Sequence, residues 1–594
     1  FGEGPEGQPC AHGVLGAMTG SGKSSLYHTL ILGLAVRYSP AELRMYLIDG
    51  KYGVEFKPYQ HLPHAEVVSL RTSAELSRSV LGELSAEMTR RNELFARHGV
   101  AALPHYRAKG QPEGPLPRIL LIADEYQQLF EHDRDGAGSA LLAQLAAQGR
   151  SAGIHLLLAS QRFGAAGMIN QAGIFGNLHL RLAMQMAESD IRALTEFGQR
   201  GKALILATCN LPGKIVLNER AGDENANLAG KAAYLPGEQR DRVIAELIEL
   251  ARGEPPERLP QRVIFNGTTQ PDLLENPQLA ALLAEDAWRG PAELELLARQ
   301  PAGRHGWGVA DWYAAEHPSV MWLGQEFNVR GQARLVLRRR VGEHVALVGA
   351  NAAARYGMLA GMLASVAVAC PPAAARFVIA DRAIPGAAWS GVLAGVCDDL
   401  LRPAGFEVEF TQQEQAVPGL LAQLIDELER RSAAADDEAA RRQSIYLILS
   451  DIDRIDALRR QADAYGMTES PAGEQLRRLY AEGAPVGIHL ILSAGGARAL
   501  AAVIDEKRGL PHFQHRVALQ LSEDDSFAFV RSRRAALLQS DGPQPVCALY
   551  VDLSRDQPTR FKPYSIETDP DSPEGSLREQ LRRIGARLRE RKQP

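Results

Sequence analysis

The stretch Ala17–Ser25 reads AMTGSGKSS, with the apolar HGVLG (His12–Gly16) before it and LYHTLILGL after it. A small residue, four others and then Gly-Lys-Ser, set between a strand and a helix, is the pattern of a phosphate-binding loop. Backbone N–H groups of the loop and of the helix N-terminus surround phosphates, a lysine neutralises their β/γ oxygens, and a hydroxyl ligates Mg2+. Gly22, Lys23 and Ser24 fill the obligatory positions, and Gly20 adds backbone freedom. Ala17 stands where glycine is usual, a place that needs a small residue more than a positive φ. The whole segment (Ala17, Met18, Thr19, Gly20, Ser21, Gly22, Lys23, Ser24 and Ser25) is therefore a candidate ATP site, with Ser24 on the metal.

Working outward, an Mg2+–ATP site also needs a strand-end carboxylate for the metal and a base to orient the attacking water. PRILLIADE (Pro117–Glu125) follows four consecutive aliphatics and an alanine with both, Asp124 for the metal and Glu125 for the water. Around these motifs, apolar strand-like runs alternate with helical patterns. The runs are LRMYLID at Leu43–Asp49, GIHLLLAS at Gly153–Ser160, Leu178–Met186 and Lys202–Leu206; helices are expected over 24–37, 73–98 and 139–148. Such alternation predicts an α/β domain with a mostly parallel sheet, complete near residue 235.

From about residue 326 the pattern returns. Lys23 to Asp49 spans 26 residues, as does Arg355 to Asp381. Lys23 to Asp124 spans 101, and Arg355 to Asp451 spans 96. GIHL occurs at Gly153–Leu156 and again at Gly487–Leu490. Order and spacing together indicate duplication of one domain. The second loop, GANAAARYG (Gly349–Gly357), has lost its chemistry: Ala354 replaces the last glycine, Arg355 the lysine and Tyr356 the hydroxyl. Asp451-Ile452 stands for Asp124-Glu125. The second copy is expected to keep the fold without hydrolysing ATP. These landmarks divide the chain into an active domain (1–235), a partly helical connector rich in Pro, Glu and Leu (236–325), a degenerate domain (326–567) and a basic C-terminal helix (568–594). In that helix Leu577, Leu581, Ile584 and Leu588 share one face, which predicts docking through the leucines.

The bulk numbers limit the function classes. With 594 residues the chain exceeds one core; 45% hydrophobic and 23% charged residues are ordinary for a globular protein. A net charge of −5 gives no global nucleic-acid footprint, so any basic surface must be local. The five cysteines are scattered, without CxxC or zinc spacing, which fits a reducing compartment. The longest apolar run, Leu359–Ala369, is about half a membrane span. The expected location is the cytoplasm, with room for a membrane tether or further domain in a segment outside this chain.

The first repeat resembles the motor domain of the FtsK/SpoIIIE family of RecA-like ATPases. AMTGSGKSS, LRMYLIDGK, EMTRRNELFARHGV, LPRILLIADEYQQL and AAQGRSAGIHLLLASQR carry the likeness over about 200 residues, with a weaker echo in the second repeat. The resemblance implies two RecA-like P-loop NTPase domains and a ring, usually hexameric, with ATP between subunits. It places Arg150 as an arginine finger reaching the neighbour's ATP and Gln161 as a polar sensor of the γ-phosphate. For cargo it offers duplex DNA, the preferred reading here. The alternative is a secreted helical protein, because a degenerate ATPase behind an active one resembles the tandem motors of type VII secretion. A nucleotide-gated scaffold too slow to be a motor is a third reading of the same motifs.

Overall fold

The structure is a computed structural model; it describes all residues except 1, 4–8, 51–54, 71–73, 132, 134–135, 162–167, 195, 256–257, 261, 268, 289–318, 330, 434–442, 464–465, 539–545, 555–556, 569–573 and 592–594. The chain separates into two units, Phe1–Gly267 and Thr268–Pro594.

In the first unit the buried runs β1 (Gly13–Gly16), β2 (Leu43–Asp49), β3 (Ala65–Leu70), β4 (Arg118–Asp124) and β5 (Ile154–Ser160) are parallel neighbours. They are apolar on both faces because helices cover both faces. With β6 (Leu180–Ala183), β7 (Lys214–Asn218), β8 (Asn227–Lys231) and β9 (Val263–Asn266), the sheet order is β8-β7-β6-β1-β5-β4-β2-β3-β9. Only the β8–β7 and β7–β6 pairs are antiparallel. Helices α1 (Lys23–Ala35), α2 (Ala74–Arg97) and α3 (Ala137–Ala152) fall where periodicity predicts them. Lys202–Leu206 does not form the expected strand. It lies within the helix Gly198–Thr208, because its apolar residues follow a helical period that buries Ile205 on one face. Nor is the sheet finished near 235. α4 (Gly237–Ala251) follows, and VIFN then adds β9 in parallel beside β3, so part of the stretch read as a connector belongs to this unit.

The second unit repeats the layout with β10 (Ser319–Glu326), β11 (Gln332–Leu337), β12 (Val345–Val348), α5 (Ala352–Ala369), β13 (Ala375–Asp381), β14 (Glu407–Thr411), α6 (Val417–Ser432), β15 (Ser444–Ser450), α7 (Pro471–Glu482) and β16 (Ile488–Ala494). After them come β17 (His515–Ala518), β18 (Ala548–Asp552) and β19 (Gln557–Pro563), giving the order β11-β10-β19-β18-β17-β12-β16-β15-β13-β14. The run β17-β12-β16-β15-β13-β14 reproduces β6-β1-β5-β4-β2-β3 strand for strand. Among the described residues α5 is the one helix long and apolar enough to cross a membrane, and 94% of it is buried in the protein. The C-terminal helix α8 (Leu577–Arg589) buries Leu577, Leu581, Ile584 and Leu588 in this unit's core. Two of its arginines, Arg578 and Arg582, bond Asp399 at 2.9 and 3.2 Å.

The duplication extends to buried polar groups. His155 Nδ1 meets the carbonyl of Ala11 at 3.0 Å, and His489 Nδ1 that of Glu343 at 2.9 Å. Each ring sits beside a second buried histidine, His12 or His344. Arg91 and Arg431 each join Glu87 or Glu427 on their own helix to carbonyls at a helix-to-strand turn, Ala152 in one unit and Val486 in the other. These clamps tie the helix between the third and fourth core strands to the sheet's lower edge in both units.

Candidate nucleotide site and its silent copy

The loop of the first unit leaves β1 at the carboxyl end of the sheet, where Ala17 N–H bonds Ser160 O at 3.0 Å and Met18 N–H bonds Gln185 O at 2.8 Å. Gly22 is the N-cap of α1, with φ of 99°, and no side chain caps the helix. A Cβ there would also meet the backbone N of Gly213 at 2.9 Å, so only glycine fits. The first N–H groups of α1 are thereby left to an anion, which the helix dipole also favours.

Lys23 Nζ lies 2.6 Å from Asp124 Oδ1 and 3.5 Å from Glu125 Oε1. Tyr27 donates to the same Asp124 oxygen at 2.9 Å. Ser24 Oγ donates to Glu55 Oε1 at 2.9 Å, and Gln161 Nε2 to Glu125 Oε1 at 3.1 Å. The fold thus brings Lys23, Ser24, Asp124, Glu125 and Gln161 into one cluster, from the loop, the ends of β4 and β5, and α1. Burial works against the Lys23 ammonium, but Asp124, Glu125 and Glu55 outweigh it and raise its pKa. Burial also raises Asp124, with Lys23 and Tyr27 holding it partly in check. Glu125 adopts a left-handed backbone, φ 51°, which turns it out of the strand direction and toward Gln161. The Ser24 hydroxyl and the Asp124 carboxylate are hard oxygen donors of the kind Mg2+ takes, so these two residues could hold the ion. Glu55 and Tyr27 were not singled out by sequence. Glu55 lies in an aperiodic loop, and Tyr27 reads as core.

Arg150 is not part of this cluster. It lies exposed in the last turn of α3, beside the start of β5, whereas the loop packs on the far end of that strand at Ser160. Seven residues of strand separate the two ends, about 20 Å.

In the second unit the equivalent space is filled. α5 begins at Ala352, so 352–354 are helical where the first unit has an open loop, and Asn351 Oδ1 accepts the N–H of Ala354 at 2.9 Å. Arg355 pairs with Asp451 and donates to Ser493 at 2.9 Å. Tyr356, in the place of Ser24, is fully buried; its hydroxyl bonds Asp381 at 3.1 Å, Ser450 at 3.1 Å and Asp451 at 3.2 Å. Strand register corrects one equivalence. Asp49 is level with Asp124 across β2–β4, whereas Asp381 is level with Ser450 across β13–β15. Ser450 therefore stands where Asp124 stands, and Asp451, with φ 44°, stands where Glu125 stands. Both strands read as aliphatics followed by an acid, which conceals the one-residue offset.

Residues 6–165 match the FtsK/SpoIIIE family. The first unit carries an FtsK/SpoIIIE-family ATPase domain. The ESX secretion system protein EccC of Geobacillus thermodenitrificans is 34% identical to this chain over 211 residues, 35% of this chain and 14% of that protein. The ESX-1 secretion system protein EccCa1 of Mycobacterium tuberculosis is 33% identical over 202 residues, 32% of this chain and 26% of that protein. The DNA translocase SftA of Bacillus subtilis is 36% identical over 154 residues, 25% of this chain and 16% of that protein. The chain thus spans about a quarter or less of the length of these relatives. Among solved structures, the cytoplasmic domain of the Thermomonospora curvata type VII secretion ATPase EccC aligns over 99% of this chain and 66% of that one, with TM-score 0.56 and 20% identity. ATPases 2 and 3 of the same protein, in complex with a signal sequence peptide, align over 94% of this chain and 88% of that one, with TM-score 0.51 and 18% identity. At these identities the likeness concerns the fold alone, that of tandem α/β P-loop ATPase domains.

Proposed function

We propose that the chain is a ring-forming ATP-driven motor of the type VII secretion kind, with hydrolysis confined to the first unit and protein as cargo. The observation that carries this is the contrast between the two sites: one open loop with Lys23, Ser24, Asp124 and Glu125 converging, and one closed by its own Asn351, Arg355 and Tyr356. Lys23 would turn from Asp124 to the β/γ phosphate oxygens, leaving Ser24 and Asp124 to hold Mg2+. Bound there, the metal neutralises phosphate charge. Glu125 orients the attacking water and takes its proton, and Gln161 fixes the Glu125 carboxylate while facing the γ-phosphate. Arg150, remote from its own loop and exposed, suits action on a neighbour's nucleotide, which calls for a ring; a hexamer is the expected form.

The cargo reading departs from the duplex DNA expected at the outset. Two of the three relatives named above are secretion proteins, and the tandem fold is shared with a type VII secretion ATPase, which supports protein as cargo, with the second unit then the cargo-binding one. The likeness to SftA keeps duplex DNA as the second reading. ATP turnover, measured with a helical signal-bearing peptide of a secreted protein and with random-sequence duplex DNA at low and high salt, separates them. Stimulation by peptide alone supports the secretion reading. Salt-sensitive stimulation by DNA alone, the mark of phosphate contacts, replaces it with the DNA reading.

A further inference from the structure

The Ser24 hydroxyl carries one proton and two lone pairs. For both lone pairs to be available to a cation, the proton needs an acceptor of its own. Asp124 Oδ1 receives Lys23 Nζ at 2.6 Å and Tyr27 OH at 2.9 Å, not the serine. The Ser24 proton goes instead to Glu55 Oε1 at 2.9 Å. Glu55 is held in place from behind, its backbone N–H donating to Asp49 Oδ2 at 3.0 Å, and Asp49 is a buried strand-end residue beside Asp124. The silent copy has lost both partners of this bond. Tyr356 replaces the serine, and six residues beyond Asp381, as Glu55 lies beyond Asp49, the residue is Ala387.

We propose that Glu55 is a positioning residue for the metal-binding hydroxyl: it takes the Ser24 proton and so aims the oxygen's lone pairs at Mg2+. This rests on the first unit being the Mg2+–ATP site. The carboxylate has a second consequence. Together with Asp124 and Glu125 it repels a nucleotide that arrives without a cation, so Glu55 tunes the site to metal-bound nucleotide.

The test is the affinity of the full chain for a fluorescent, non-hydrolysable ATP analogue, with Mg2+ and with EDTA, for wild type, Glu55→Ala and Glu55→Gln. Losing a hydrogen bond to a charged acceptor weakens Mg2+-dependent binding in Glu55→Ala roughly ten- to a hundred-fold. Affinity in EDTA stays level or rises, because one negative charge is gone. Glu55→Gln, whose amide oxygen still accepts the proton, recovers part of the loss. Equal weakening with and without Mg2+, or no change in either, overturns the proposal, the first outcome marking a merely structural residue. If wild type binds no nucleotide under either condition, the Mg2+–ATP reading of the first unit fails instead.

Discussion

Lys23→Ala is expected to remove nucleotide binding and also to destabilise the nucleotide-free first unit, with a pH dependence set by Asp124. The lysine and Asp124 side chains are 10% and 5% exposed, and the ammonium also faces Glu125 at 3.5 Å. Removing one member of such a pair leaves an uncompensated buried carboxylate, a loss of about 3–5 kcal/mol when the remaining group stays charged. Asp124 has an escape, because burial already raises its pKa and the loss of Lys23 raises it further. A carboxyl whose folded pKa lies above its unfolded value binds a proton in the native state over that interval, so stability falls as pH rises through the folded pKa. The deficit of Lys23→Ala relative to wild type should therefore be largest at alkaline pH, where Asp124 is ionised, at roughly 3 kcal/mol, and shrink as the pH falls and Asp124 takes up a proton. In a unit of this size that is a downward shift of about 6–12 °C in its unfolding transition. Hydrogen exchange without nucleotide would localise it to α1 and β4, with β12, β15 and β16 of the second unit as internal reference. Wild-type protection of α1 and β4 at alkaline pH, or a deficit that grows on acidification, would refute the electrostatic argument.

Arg150→Ala should bind ATP as wild type does yet lose about 10³- to 10⁵-fold in turnover; mixing it with Lys23→Ala subunits should restore activity if the arginine acts across subunits, and no restoration counts against a trans role. The buried histidines make a further prediction. Burial holds His12 at about 3 and His155 and His489 at about 4, so the unfolded chain binds more protons than the native one between about pH 4 and 6.5. Stability then rises with pH across that window, by up to about 1.4 kcal/mol per pH unit for each histidine; denaturant midpoints measured from pH 4.5 to 7 check this, and a flat profile contradicts it.

The parts of this molecule legible in its sequence are those with a local period or a fixed spacing. AMTGSGKSS must sit at a strand–helix junction to serve phosphates, and ILLIADE must end a buried strand, so both sites followed from residues close together in the chain. The repeat was visible because strand-end acids recur at matched intervals. What escaped notice depends on contacts between distant residues. VIFN carries nothing to say that it crosses to the far edge of the first sheet beside Val67–Leu70. Glu55 is an ordinary loop glutamate until the fold sets it 2.9 Å from Ser24. The offset between Asp451 and Asp124 appears only in strand register, since aliphatics followed by an acid look alike in either frame. Asn351 reads as one more small polar residue, yet its cap on Ala354 helps close the second loop.

The central claim, one working site in a duplicated chain, is tested most directly by counting trapped nucleotide. Glu125→Gln keeps Lys23, Ser24 and Asp124 while removing the carboxylate proposed to take the water's proton, so it should bind Mg2+–ATP and hold it unhydrolysed. After incubation with labelled ATP and rapid desalting, the account predicts one ATP per chain, no ADP, and none bound once Lys23→Ala is added. Two nucleotides per chain, or ADP production undiminished by Glu125→Gln, would contradict it.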